Sequence, residues 1–502
     1  MICVLLGAID LTVIAAILPK MIIDLGVNTS DIDRYIWIVN GYLIAYIVAI
    51  PIVGRVSDLV GRKRTFLVCL GIFLVGSIVC GLSQSLDGLI VGRSIQGFGG
   101  GGLLPVALAL TGDTLPRGKR LAGIGLVSAV DTLGWVIGPV YGAVVEKVAW
   151  SQNETWRWVF WINIPLLVLA AIVVIIRFPR ESTSVRNLSS LRRFDIPGAV
   201  LLTGALVTVN LALSSGGELG SASSSGMRAL GGTSNPLAAY APAMLIVSII
   251  CVALLIVWER RANFPVLPLA LFANRTFLLA SVANVLIGAV LMVGMVDVPV
   301  VVALIANPDH AIEIGAGMLA SYTVGIMLMS LASASAIRRW RMLRVMLAGL
   351  VLAALGYALL FPLLEGDHVY RMAIGLLIAG SGLGLLIAPL TSIALDQASE
   401  QDRGAAASTA LVFRLLGMTI GISALTALAV KRLQSLINGL EPIVRKPNEG
   451  TAEFLLRQQL FLENHAIPLS IRVVQETFLI ASVLALITII PVVYLVHASS
   501  DN

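Results

Sequence analysis

Charged side chains are scarce in this chain of 502 residues. Asp, Glu, Lys and Arg make up 12% of it against 58% hydrophobic residues, and its mean hydropathy is +0.95. A chain so poor in charge cannot present a polar surface to water on all sides, which excludes an ordinary soluble protein of this length. Cysteine is nearly absent too. Cys3, Cys69, Cys80 and Cys251 all lie in apolar runs, with no spacing that suits a disulfide framework or a metal site. The four histidines, His310, His368, His465 and His497, lie outside the apolar runs or at their ends and show no metal-ligand spacing. The chain has no Walker phosphate loop of the kind that serves an ATP-driven pump. Gly97, Gly99 and Gly102 match a dinucleotide fingerprint in spacing, but they sit inside an apolar run with no soluble strand before it, so that reading fails.

Long apolar runs dominate instead. Each crossing of a hydrocarbon core about 30 Å thick needs roughly 20 such residues. Runs of that kind fall near 1–23, 35–57, 65–84, 88–112, 120–145 and 157–176, then near 195–214 and 240–258. A further six fall near 276–304, 313–336, 343–364, 371–395, 404–430 and 472–497. The reading is an all-α polytopic membrane protein with 14 spans. It divides into a six-helix bundle (1–176), a linker with two extra transmembrane helices (177–275) and a second six-helix bundle (276–502) with a long outer loop at 431–471. The Gly/Ser-rich stretch "SSGGELGSASSSGMRALGGTSN" reads as a flexible connection between the two extra spans. The first run is expected to be a retained span rather than a cleaved signal peptide.

An even number of crossings puts both termini on one side. Most of the 34 Lys and Arg residues fall on that side, including Arg55, Arg62, Lys63, Arg64, Arg120, Arg338, Arg339, Arg341 and Arg344. The termini are therefore expected in the cytoplasm, with the chain in the cell membrane. The formal net charge of +6 is a topology signal and requires no nucleic acid.

A few charges fall inside the runs, where they are costly unless paired or protonated. Asp10 lies about 15 Å deep if the first span starts in the cytoplasm, and Asp131 and Arg414 are each about 11 residues into their spans. Equal depth makes pairing feasible, so these spans are expected to surround a central cavity. Arg93 and Asp297 lie further toward the outer surface and join Asp10, Asp131 and Arg414 as candidate proton-coupling or gating residues.

Four stretches carry a family resemblance. "GRVSDLVGRKRTFLV" supplies Gly54, Asp58, Gly61, Arg62, Lys63 and Arg64 in a short link between two spans, where the carboxylate suits a helix cap. This pattern resembles the signature loop of the major facilitator superfamily, and "AIRRWRMLR" looks like a degenerate second copy of it. The resemblance implies a cytoplasmic latch carried by Asp58 and Arg62. "LIVGRSIQGFGGGG" resembles the family's second motif, which would give Arg93 a part in proton coupling; the alternative is an arginine snorkelling outward above glycines that pack helices. "DTLGWVIGPVYG", with Gly134, Gly138, Pro139 and Gly142, resembles the antiporter motif, and "WRWVFWINIP" resembles the 14-span drug:proton antiporter branch.

Asp10, Asp131, "VDV" around Asp297, "GLGLLIAPLTS" and "FRLLGMTIG" together resemble the mycobacterial triacylglyceride exporters of that branch. That resemblance implies a lipid or drug substrate and a periplasmic lipoprotein partner. The segment "TAEFLLRQQLFLENH" suits either an outer-interface helix or an ordinary loop helix.

The expected function is proton-coupled export of hydrophobic or amphipathic molecules by alternating access, with no cofactor and the proton gradient as energy source. Asp10 is expected to pair with Arg414 across the two bundles, with a permanent structural pair as the alternative. Asp131 is the first choice for the titrating residue and Asp10 the second. Uptake of a small polar solute is the competing reading, but the mid-span residues are mostly aliphatic or glycine. An integral membrane lipid enzyme finds little support in the chain.

Overall fold

The computed structural model describes residues 1–25, 32–148, 155–177, 194–216, 238–305, 311–363, 371–437 and 450–500. Their regular structure is helical throughout. The first six long helices are α1 (Ile2–Asp24), α2 (Ile32–Val60), α3 (Arg62–Leu82), α4 (Leu86–Thr114), α5 (Arg117–Val148) and α6 (Trp158–Arg177). The linker pair is α7 (Ile196–Gly216) and α8 (Ala241–Glu259). Then come α9 (Arg275–Ile305), α10 (Ala311–Arg339), α11 (Met342–Leu363), α12 (Met372–Asp396) and α13 (Arg403–Ile437). The chain ends with α14 (Thr451–Phe461), α15 (Ile467–Ile487) and α16 (Ile489–Ser500).

Among the described residues, 13 helices are long and apolar enough to cross a membrane. The sequence reading counted 14; the fourteenth is α1, a helix of 23 residues whose stretch Ile2–Ile14 is apolar. Helix α13 has 35 residues, about 52 Å at 1.5 Å per residue, so it outruns a 30 Å core. The expected outer loop is accordingly partly helical: α13 continues to Ile437, and α14 and the start of α15 occupy much of the rest. The Gly/Ser-rich connection at 217–237 lies outside the described residues.

Contacts sort the helices into two groups. Helices α2 and α3 pack on α4, α1 packs on α5, and α3 packs on α6, while α10 and α11 pack on α12, α9 on α13 and α11 on α15. The groups meet through α2 with α13, α4 with α13, and α5 with α10 and α12. The linker helices pack on each other, and α7 also rests on α2 and α13.

In lipid the hydrophobic effect does not drive helix association, so close backbone approach has to supply the attraction. Glycine supplies it in the same pattern twice. In α4, a Cβ at Gly97 or Gly101 would run into the carbonyls of Tyr42 and Tyr46 on α2, and one at Gly99 would lie 2.5 Å from the Phe73 nitrogen on α3. In α12, Gly380 and Gly384 abut the carbonyls of Tyr322 and Ile326 on α10, and Gly382 abuts the Ala353 nitrogen on α11. The G-x-G-x-G runs at 97–101 and 380–384 thus each wedge one helix between two others. The dinucleotide-like spacing in α4 is a by-product of this packing.

Replacing Gly382 by leucine should therefore overpack the α11–α12 crossing and cost about 1–3 kcal/mol. Gly71 of α3 has nothing within 4 Å of its Cβ position, so Gly71→Leu should be tolerated. Thermal unfolding of the two detergent-purified variants, followed by size-exclusion chromatography, checks the contrast.

Candidate functional site

Most basic residues gather at the end of the bundle that holds the α2–α3 and α10–α11 turns, here termed the basic end. Part-way from it lies a small cavity of about 50 Å³ between the two groups of helices. Its walls are largely apolar, with Ile50, Leu104, Leu291, Met295, Ile387, Leu411, Leu415 and Met418 beside Tyr46 and Trp135. Two charges face it, Asp131 from α5 and Arg414 from α13.

Local packing holds Arg414 to its own group. A Cβ at Gly288 of α9 would collide with the Arg414 carbonyl, and Gly417 abuts the Val285 carbonyl in the same way, so α9 and α13 cross at this residue. Its Nε and Nη2 donate to Asn284 Oδ1 at 3.1 and 2.9 Å. Nη2 also donates to Thr391 Oγ1 at 3.1 Å. Asp131 and Arg414 interact through space, yet among the described residues no ion pair within 4.0 Å joins them. The sequence reading placed these two at one depth, and the structure puts them in one cavity.

Asp10 is elsewhere. Its carboxylate accepts from Arg93 Nη1 at 2.5 Å, from Gln96 Nε2 at 3.1 Å and from Asn163 Nδ2 at 3.1 Å. Both Asp10 and Arg93 are 1% exposed, and the Arg93 guanidinium also lies over the Tyr42 ring, 4.0 Å from its centroid. All these groups belong to α1, α2, α4 and α6, so the expected pair of Asp10 with Arg414 is replaced by a pair inside the first group. Arg93 is buried and bonded, which also corrects the picture of an arginine reaching out to headgroups.

The physical reason is the height of α1. Gly134 of α5 abuts Ala8, and Gly138 abuts Thr12. These glycines are 17 and 21 residues along α5 from Arg117, so a depth counted from Met1 is short by roughly 15 Å. Asp10 therefore sits well beyond Asp131 and meets Arg93 instead. Gly134 and Gly138 serve this α1–α5 crossing, Gly142 is buried, and Pro139 lies within the helix.

The link at 54–68 closes the basic end. Gly61, with φ 116°, makes the turn from α2 to α3 in a region that disfavours side chains. Asp58 accepts from the backbone N–H groups of Gly404 and Ala405, each at 2.8 Å, at the start of α13. Arg62 pairs with Asp58 and, through Nε, with Asp113 at 3.2 Å. Arg55 pairs with Asp402 at 2.7 Å, Arg403 with Asp113 at 2.8 Å and Arg120 with Asp396 at 2.7 Å, each tying one group to the other. Gly54 lets α13 approach: a Cβ there would lie 2.5 Å from Ser408 Oγ. Lys63 donates to the Ile175 carbonyl at 2.9 Å, and Arg64 is exposed. The second copy of the link differs, with Arg338, Arg339, Arg341 and Arg344 all exposed.

Asp297 lies apart from these sites and accepts from Thr477 Oγ1 of α15 at 2.5 Å. The sequence reading assigned no role to Asn284 and Thr391, which hold Arg414, to Trp135 at the cavity, or to Asp113, Asp396 and Asp402 at the basic end. Trp135 and Thr391 lie inside quoted stretches without being singled out, and no pattern marked Asn284. The acids could have been found as the charges that end or precede helices opposite the basic link. Among the described residues no group of His, Cys, Asp or Glu is placed to hold a metal ion, and the four cysteines are free.

A helical bundle with a cavity between two groups of spans and an ionic closure at one end is the architecture of a secondary transporter. Residues 1–422 match the Major Facilitator Superfamily, and the chain belongs to that family of transporters, not to an enzyme family. It is 35% identical to a triacylglyceride transporter of Mycolicibacterium hassiacum over 86% of this chain and 78% of that protein. It is 33% identical to a triacylglyceride transporter of Mycobacterium tuberculosis, over 90% and 85%. It is 30% identical to multidrug resistance protein 3 of Bacillus subtilis, over 84% and 76%. The human organic anion transporter MFSD10 shares the fold with a TM-score of 0.57 at 13% identity, over 96% of this chain and 98% of that one.

Breaking a buried ion pair on one side leaves an uncompensated charge and costs about 3–5 kcal/mol. Asp10→Ala should therefore lower the thermal unfolding midpoint and the yield of folded protein, whereas Asp131→Ala should not. Equal stability of Asp10→Ala and wild type would contradict the structural role of the Asp10–Arg93 pair.

Proposed function

We propose that this protein exports hydrophobic or amphipathic molecules, a lipid such as triacylglyceride or greasy drugs, across the cytoplasmic membrane in exchange for protons. The observation that carries the proposal is the placement of Asp131 and Arg414. They face one apolar cavity from opposite groups of helices, close enough to interact and too far apart for an ion pair. The positive-inside rule makes the basic end cytoplasmic, so the closed latch leaves a cavity awaiting exchange with the outer side.

In the proposed cycle an ionised Asp131 attracts Arg414 away from Asn284 and Thr391 and draws α5 and α13 together around an empty cavity. A proton entering from outside neutralises Asp131, and Arg414 falls back on its partners in α9 and α12. The two six-helix bundles then rock, with the linker helices beside them. Asp10 and Arg93 keep the first bundle rigid during this motion, and Asp297 serves the second bundle away from the proton path. The aliphatic lining suits a substrate with little polar surface, as do relatives named for triacylglyceride transport and multidrug resistance. A periplasmic lipoprotein that receives a lipid at the far end belongs to the same proposal.

Proteoliposomes with an imposed proton gradient test it, with a labelled triacylglyceride and a fluorescent cationic dye as substrates. Movement of either should follow the gradient, and Asp131→Asn should lower the rate about tenfold or more, a barrier change of at least 1.4 kcal/mol. Normal gradient-driven transport by Asp131→Asn removes Asp131 as the proton carrier. Transport of neither substrate favours uptake of a polar solute instead.

A further inference from the structure

We propose that Asp195 and Glu259, at the foot of the linker helices, form a binding site for one small monovalent cation, a proton or Na+. The site is independent of the central cavity. Asp195 immediately precedes α7, and Glu259 is the last residue of α8. Both are more than nine-tenths buried.

Each carboxylate has one oxygen supplied with donors and one with none. Asp195 Oδ1 accepts from the Trp258 indole at 2.8 Å and from the Gly198 N–H at 3.0 Å. Glu259 Oε1 accepts from the Val266 and Leu267 N–H groups, both at 3.1 Å. Asp195 Oδ2 and Glu259 Oε2 are buried without a hydrogen-bond partner. The two groups converge: a Cβ at Gly198 would press on Asp195 Oδ2 and lie 3.0 Å from Glu259 Oε1. Only glycine at 198 lets the two carboxylates come this close.

Two buried carboxylates side by side repel, and each orphaned oxygen carries the full cost of its lost hydration. A single positive charge between them removes both penalties. Among the described residues neither acid makes an ion pair. Arg55 of α2 is within electrostatic range of Glu259, but its Nη1 is committed to Asp402 of the other bundle and its Nε has no partner. Among the described residues, the other charges beside the site, Arg260 and Arg261, are exposed just past the end of α8. With the site filled, Arg55 stays with Asp402 and the basic end stays closed. With the site empty, two negative charges compete for Arg55 and favour opening.

Trp258 reports on the site because its indole bonds to Asp195. Its emission is isolated as the difference between full-length wild type and Trp258→Phe in lipid nanodiscs. The difference spectrum is titrated with pH in choline buffer and with NaCl at fixed pH. A shift with pH that Na+ does not affect identifies the proton, and a shift that Na+ reproduces at fixed pH identifies Na+. Either shift should be lost in both Glu259→Gln and Asp195→Asn. Emission indifferent to pH and Na+ in the wild-type protein, a reading that needs no acid variant to fold, overturns the site. So does a shift that persists unchanged in both variants.

Discussion

The carboxylate of Asp58 does for α13 what a capping side chain does for its own helix, but from the opposite bundle. The first N–H groups of any helix lack partners within it and carry the positive end of the helix dipole. Here two of them, at Gly404 and Ala405, are satisfied by one buried carboxylate of α2. The contact requires α2 and α13 to touch, which Gly54 and Gly404 allow by having no side chains. The rest of the basic end follows from that approach: Arg62 compensates Asp58, and Arg55, Arg120 and Arg403 reach acids across the same seam. Closing one end of the seam is what leaves a cavity further along it.

Charge inside the apolar bundle is divided between two kinds of site. Asp10 and Arg93 meet within one bundle, every carboxylate oxygen is bonded, and no solvent reaches them. Such an arrangement resists change and suits a brace. Asp131 and Arg414 line one cavity from opposite sides of the seam, Asp131 with no hydrogen-bond or ion-pair partner among the described residues, and their interaction depends on how the bundles sit. That dependence is what a coupling site needs, because a change of charge at Asp131 is then felt as a force between bundles. The linker carboxylates add a third arrangement, next to the closure itself.

Much of the fold was legible because spanning helices announce themselves by length and hydropathy, and the link at 54–68 by its glycines and charges. The depth argument worked for Asp131 and Arg414, whose helices both begin at the basic end. It failed for Asp10 because α1 is set higher by its glycine crossing with α5, and sequence gives no relative height for helices. The mirrored wedge of Gly380, Gly382 and Gly384 went unread because a glycine in an apolar run looks like any small residue until its neighbour's backbone is seen. The roles of Asn284 and Thr391 went unread for a related reason, being set by the arginine that reaches them.

Asp58, by holding the start of α13, keeps the two bundles together at the basic end. The most direct measurement is the distance between spin labels on the exposed positions Arg64 and Arg338, taken by double electron–electron resonance in nanodiscs. The account predicts one short distance population in wild type and a second, longer one that gains weight in Asp58→Ala. An unchanged distance distribution in a folded Asp58→Ala protein would contradict it.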